Sequence, residues 1–167
     1  RILKHFGFEV GKMSIDMESY AIKGLNGFAE IDSLVVDSFQ VDTVRLALSS
    51  ENNAMVYHLQ MRNGKDNQRY VFNAFVDGAL IDKGAYVKTR VYDENNKLGL
   101  SLAMEVTMER NGIRIKLFDD DPVLGYNKFD VNDSNYIFLG DDRRVSANVD
   151  LRSQNGIGLQ VYSNDDN

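Results

Sequence analysis

The residues of this chain that could do chemistry are few and widely spaced. Two histidines, His5 and His58, occur in 167 residues, and there is no cysteine. Without cysteine there is no thiol nucleophile, no disulfide and no thiolate metal site. No Gly-x-Ser-x-Gly elbow is present to hold a serine above a sheet. Paired carboxylates are the remaining route to hydrolysis, and Glu105 and Glu109 share one face of a strand. Four residues of strand set them roughly 13 Å apart, beyond the about 5–9.5 Å of glycosidase pairs. Asp93-x-Asn95-x-Lys97 fails as a calcium loop because lysine cannot be a ligand. Asp130-x-Asn132-x-Ser134, with Asp141 beyond it, lacks the turn glycine, and Asp119-Asp120-Asp121 reads as a solvated hairpin end. The stretch Gly7-Phe-Glu-Val-Gly11-Lys12 is one residue short of a phosphate loop and has Met13 where a Ser or Thr should sit. These residues predict no catalytic site, no metal and no cofactor. His58 reads as a structural or solvated histidine.

The elements that would position any site are strands. Leu98, Leu100, Leu102, Met104, Val106 and Met108 alternate strictly with small or polar residues, so all six line one face. Arg110-Asn111-Gly112 interrupts the pattern, Asn-Gly being the hairpin signal because both residues tolerate positive φ. Alternation resumes in Ile113, Ile115 and Leu117. Further strands are expected through Met55–Met61, Tyr70–Val76, Ala85–Tyr92, Tyr136–Leu139 and Val145–Leu151, the last pairing through Asn155-Gly156 with Ile157, Leu159 and Val161. Asp77-Gly78 reads as a break. Residues 1–27 favour strands, with a short helix over Asp16–Lys23 as the alternative. A five-residue repeat led by Asp32, Asp37 and Asp42 predicts bulges or turns near Asp37 and Asp42, since an odd period cannot keep one face. The expected fold is a single all-β domain over 1–167, an antiparallel meander of about ten strands. Its sheet is expected to be curved and taco-like with an apolar inner face; the alternative is a closed β-sandwich.

Composition narrows the function classes. A net charge of −6, with acids spread along the chain, argues against nucleic acid, which needs a basic face. No apolar run approaches the length of a membrane-spanning helix. The chain starts at Arg1 without a leader pattern, which reads as a segment excised from a longer protein. The cysteine-free composition suits the periplasm. The apolar face is then either half of a sandwich core or an open trough; its Met and Leu content suits a non-specific apolar ligand.

Several runs are similar to the C-terminal region of translocation and assembly module proteins, the TamB-like members of the AsmA-like superfamily. They are Asp32-Ser-Leu-Val-Val-Asp-Ser-Phe39, Tyr92-Asp-Glu-Asn-Asn-Lys-Leu-Gly-Leu100, Phe129-Asp-Val-Asn-Asp-Ser-Asn-Tyr136, Arg144-Val-Ser-Ala-Asn-Val-Asp-Leu151 and Gly156-Ile-Gly-Leu-Gln-Val-Tyr-Ser163. The resemblance implies a non-enzymatic piece of a long periplasmic protein anchored in the inner membrane by a segment outside this chain. It implies roles in phospholipid transport and in outer-membrane protein translocation and assembly, with an apolar β-trough as the working surface. The expected partners are acyl chains or unfolded outer-membrane strands, and, through other regions, the outer-membrane assembly machinery. The trough residues expected here are Leu98, Leu100, Leu102, Met104, Val106, Met108, Ile113, Ile115 and Leu117. A homodimer of the fragment is a further expectation. Two other readings stand beside this one. The first is a binder of carbohydrate or peptide through Tyr86, Tyr92 and Tyr126; the second is a hydrolase using converging carboxylates.

Overall fold

The computed structural model describes residues 8–20, 24–36, 39–67 and 70–163. All of its regular structure is strand, in one antiparallel sheet. The strands are β1 (Phe8–Tyr20), β2 (Gly24–Val36), β3 (Phe39–Glu51), β4 (Ala54–Asn63), β5 (Phe72–Ile81), β6 (Gly84–Tyr92), β7 (Leu98–Glu109), β8 (Gly112–Leu117), β9 (Val123–Leu124), β10 (Asn127–Val131), β11 (Tyr136–Gly140), β12 (Val145–Ser153) and β13 (Gly158–Tyr162).

Thirteen strands replace the expected ten or so, and the reason is local. β8 and β9 both lie along the same edge of β7, and β10 and β11 both lie along the same edge of β12. Each pair is one pass of the chain, split by a loop at 118–122 or 132–135. The result is an up-and-down meander in which neighbours in sequence are neighbours in the sheet.

Turn chemistry follows the sequence in most places. Asn52 and Asn53 (φ 47 and 64) close β3–β4, and Gly125 and Tyr126 (φ 55 and 68) close β9–β10, both with the left-handed pair that matches strand twist. In the β7–β8 hairpin the two loop residues are Arg110 and Asn111, because Glu109 pairs with Gly112. Gly112 therefore opens β8 instead of occupying the turn.

One expectation needs correction, and the favoured strand reading of residues 1–27 holds for the described part. Asp77-Gly78 is no break: β5 runs through both to Ile81. Tyr57 of β4 lies over Gly78, where an added Cβ would meet its hydroxyl at 2.4 Å, and Asp77 is held by neighbours on both sides. Asp42 sits inside β3, where the β2–β3 ladder skips it and Ser33 (φ 66), and its N–H donates to Asn63 Oδ1 at 2.9 Å, so the irregularity expected near Asp42 is present. Asp16–Tyr20 belongs to β1 and is not helical. Every described strand belongs to one hydrogen-bonded sheet. The turn expected at Asp37, together with His5, Phe6 and Gly7, lies outside the described residues.

Little of this sheet is closed over. The chain exposes 11914 Å², against roughly 8,300 Å² for a compact monomer of 18.9 kDa. Among the described residues a buried apolar cluster gathers Phe129, Val131, Val149 and Leu151, with Leu117, Leu124 and Ile137 against it.

The candidate apolar face

Cross-strand register decides which side chains share a face. Leu100 pairs with Val91, which continues through Ala74, Met61, Val44 and Ile31 to Met13. Leu102 heads a parallel row through Thr89, Val76, Leu59, Leu46 and Ala29 to Ile15. Met104 heads a third, through Val87, Gly78, Tyr57, Leu48 and Gly27 to Met17. These rows set mostly apolar residues, with Thr89, Gly78 and Gly27 among them, in register from β7 back to β1. They are built from alternations visible in each strand, joined by a register that no single strand reveals.

The β7–β8 hairpin places eight of the nine expected residues on this face. Met104 pairs with Leu117, Val106 with Ile115 and Met108 with Ile113. Leu98 is the exception. A bulge between Val91 and Tyr92 sets it opposite Tyr92, out of step with the Leu100 row. The eight also differ in surroundings. Leu117 packs on the buried cluster, whereas Met108 is 62% exposed and Ile113 37%. The residues missed at sequence level are those of the preceding strands, notably Leu46, Leu59 and Val76. Their alternation was legible; that they extend the rows of β7 was not.

The opposite face is mixed, with Phe28 and Phe75 beside cross-bracing charged pairs. His58 Nδ1 donates to Asp77 Oδ1 at 2.8 Å, and Arg90 donates to the other carboxylate oxygen. Burial pushes the Asp77 carboxyl up, but the hydrogen bonds from His58 and Arg90 outweigh it, and the net pKa is lowered. Glu30 pairs with Arg45 at 3.1 Å, and Lys88 pairs with Asp120. A groove of about 390 Å³ lies here, lined by Phe28, Glu30, Arg45, His58, Phe75 and Asp77 among others, with no hydroxyl nucleophile among its lining residues. Glu105 faces Lys116 and Tyr86 in the ladder, and Arg114 donates to Glu109. The two carboxylates therefore serve separate neighbours.

The loop carboxylates brace turns. Asp93 accepts from the backbone N–H of Asn95 and of Lys97, each at 2.9 Å, and these bonds hold its carboxyl below the ordinary range. Asn132 accepts from the N–H of Asp150 at 2.9 Å, while the Asp141 N–H donates to Asn111. No three acidic or histidine side chains converge as a metal site among the described residues.

Of the three candidate aromatics, Tyr92 and Tyr126 come together in a groove of about 610 Å³ with Phe39, Tyr70, Phe72, Asp93 and Glu94. Tyr86 lies elsewhere, its ring 5.7 Å from that of Phe118. Lys97 Nζ sits 4.7 Å from the centre of the Tyr126 ring. Comparison with protein-family models, with curated proteins and with solved structures gave no match.

Proposed function

We propose that this chain is a non-enzymatic piece of a TamB-like envelope protein, working in the periplasm as a surface along which apolar cargo lies. The cargo is phospholipid acyl chains or unfolded outer-membrane strands. One observation carries the reading: the apolar rows headed by Leu100, Leu102 and Met104 run unbroken in register from β7 to β1. An acyl chain gains roughly 0.8 kcal/mol per methylene removed from water. Along such rows one contact replaces another, so sliding costs little. The resemblance supplies the periplasmic setting and the outer-membrane partners of this reading.

The test is native mass spectrometry of detergent-free protein, followed by solvent extraction. Near-stoichiometric phospholipid or fatty acid supports the reading if Leu102→Asp loses it. Thr107→Asp, on the opposite face, should retain it. A lipid-free wild type, or binding equal in both variants, overturns the reading.

A second reading rests on the Tyr92–Tyr126 groove, where aromatic rings lie beside Asp93 and Glu94. Rings flanked by carboxylates suit a carbohydrate or a peptide. Glycan and peptide array screening against Tyr92→Ala separates it from the first.

A further inference from the structure

The groove of about 610 Å³ opens where the apolar rows reach the ends of their strands. Val91, which lines it, belongs to the Leu100 row. Phe72, also in the lining, stands two residues before Ala74 of that row, on the same face of β5. The Phe39 ring stacks on that of Phe72, 6.4 Å away at an angle of 17°, and lies 6.0 Å from that of Tyr70. Tyr126 stands over Gly99 on another wall, where an added Cβ would meet its ring at 3.2 Å. Phe39, Tyr70 and Tyr126 are all exposed.

The charge of this groove is one-sided. Asp93 and Glu94 line it, and no lysine or arginine does. Asp93 is engaged by the N–H groups of Asn95 and Lys97. Glu94 is exposed and makes no hydrogen bond or ion pair among the described residues. The Tyr126 hydroxyl is pushed above its ordinary range by its hydrogen bond to Asp93, then by burial and by the charges of Asp93 and Glu94. Both carboxylates therefore act on this ring. Aromatic faces beside a carboxylate attract an ammonium group. The chain supplies one instance itself, since Lys97 Nζ lies 4.7 Å from the centre of the Tyr126 ring. The groove on the opposite face differs, because its Glu30 is paired with Arg45 and its Asp77 with His58.

We propose that the aromatic groove is a headgroup site for a zwitterionic phospholipid bearing an amine, of the phosphatidylethanolamine class. The ammonium group sits against Glu94 and the rings of Phe39, Phe72 and Tyr126. The phosphate lies toward Lys97, and the acyl chains run past Val91 onto the rows of Leu100 and Leu102. An anionic headgroup such as that of phosphatidylglycerol would bring its phosphate to two carboxylates with no ammonium to offset it. A lysine-bearing peptide shares the ammonium but has no acyl chain for the adjoining rows. The proposal rests on the reading of those rows as an acyl surface and adds to it a choice of headgroup.

The test titrates the full chain by isothermal calorimetry with dihexanoyl phosphatidylethanolamine and dihexanoyl phosphatidylglycerol, each below its micelle concentration. Far-UV circular dichroism confirms that each variant folds. The amine lipid is expected to bind about ten-fold more tightly. Glu94→Lys should remove that preference and Phe39→Ala should reduce it. Leu102→Asn should weaken both lipids and leave their ratio unchanged, because it lies on the acyl rows and not in the groove. Equal affinity for the two lipids in the wild type, or a preference retained in Glu94→Lys, overturns the headgroup site and leaves the acyl surface standing. Binding of neither lipid overturns both. A lysine-containing peptide that binds through Glu94, with no preference between the lipids, would assign the groove to peptide and overturn the proposal.

Discussion

The carboxamide of Asn135 holds the backbone of Leu117 from both sides. Its Nδ2 donates to the Leu117 carbonyl at 3.0 Å, and its Oδ1 accepts from the Leu117 N–H at 2.7 Å. This is the hydrogen bonding a neighbouring strand would supply, delivered by one side chain where β10 and β11 are interrupted. Asn63 does the same between β3 and β4, donating to Gln40 O and accepting from Asp42 N–H, both at 2.9 Å. Both asparagines are buried. A buried peptide group left unpaired is costly, so these side chains are what allow the ladder to be broken there.

Removing that carboxamide should be expensive. Asn135→Leu leaves the Leu117 N–H and C=O without partners and is expected to destabilise by about 2–4 kcal/mol in urea denaturation. Asn135→Asp keeps the acceptor but turns an oxygen toward the Leu117 and Asn132 carbonyls. It should also destabilise, and more at neutral pH than at pH 3.

Gly78 is needed beneath Tyr57. An added Cβ would stand 2.1 Å from the Tyr86 carbonyl oxygen and 2.4 Å from the Tyr57 hydroxyl. Gly78→Val is expected to cost about 2 kcal/mol through overpacking and to reduce the near-ultraviolet dichroism of the displaced tyrosine. Gly125→Ala should leave the Tyr57 signal unchanged, because nothing stands within contact of that position.

Acid stability should depend in part on Asp77. Its carboxyl titrates below the ordinary value in the folded chain. A lowered folded pKa contributes stability that is present above the unfolded pKa and lost as the pH falls through the folded one. Unfolding midpoints measured from pH 6 downward should therefore decline less steeply in Asp77→Asn than in the wild type. An identical acid limb in both would mean that the His58 and Arg90 contacts contribute nothing net.

Truncations should separate the closed end of the sheet from the open part. Leu151, only 3% exposed, belongs to the buried cluster, and Leu151→Ala is expected to cost about 3 kcal/mol. Leu46, half-buried on the open face, should cost about 1 kcal/mol when changed to Ala. Equal costs at the two sites would indicate that the open face is covered in solution.

The sequence alone determined what is local. Alternation in Leu98–Met108, Met55–Met61 and Val145–Leu151 is a two-residue period that only a strand can satisfy, and Asn-Gly marked the hairpin and Asn155-Gly156 the last turn. The all-β meander was legible for that reason: each strand pairs with the next, and the information needed lies within about twenty residues. What only the tertiary structure decided is how each strand is registered against its neighbours. Gly78 looks like a breaker until Tyr57 is seen to cover it from β4. Leu98 looks like the head of a stripe until a bulge opposite Tyr92 puts it out of step. Asn63 and Asn135 look like loop residues until their carboxamides are seen to replace missing ladder bonds. A one-residue change of register exchanges the faces of a strand. The extent of the apolar rows across the described strands is therefore a property of the assembled sheet.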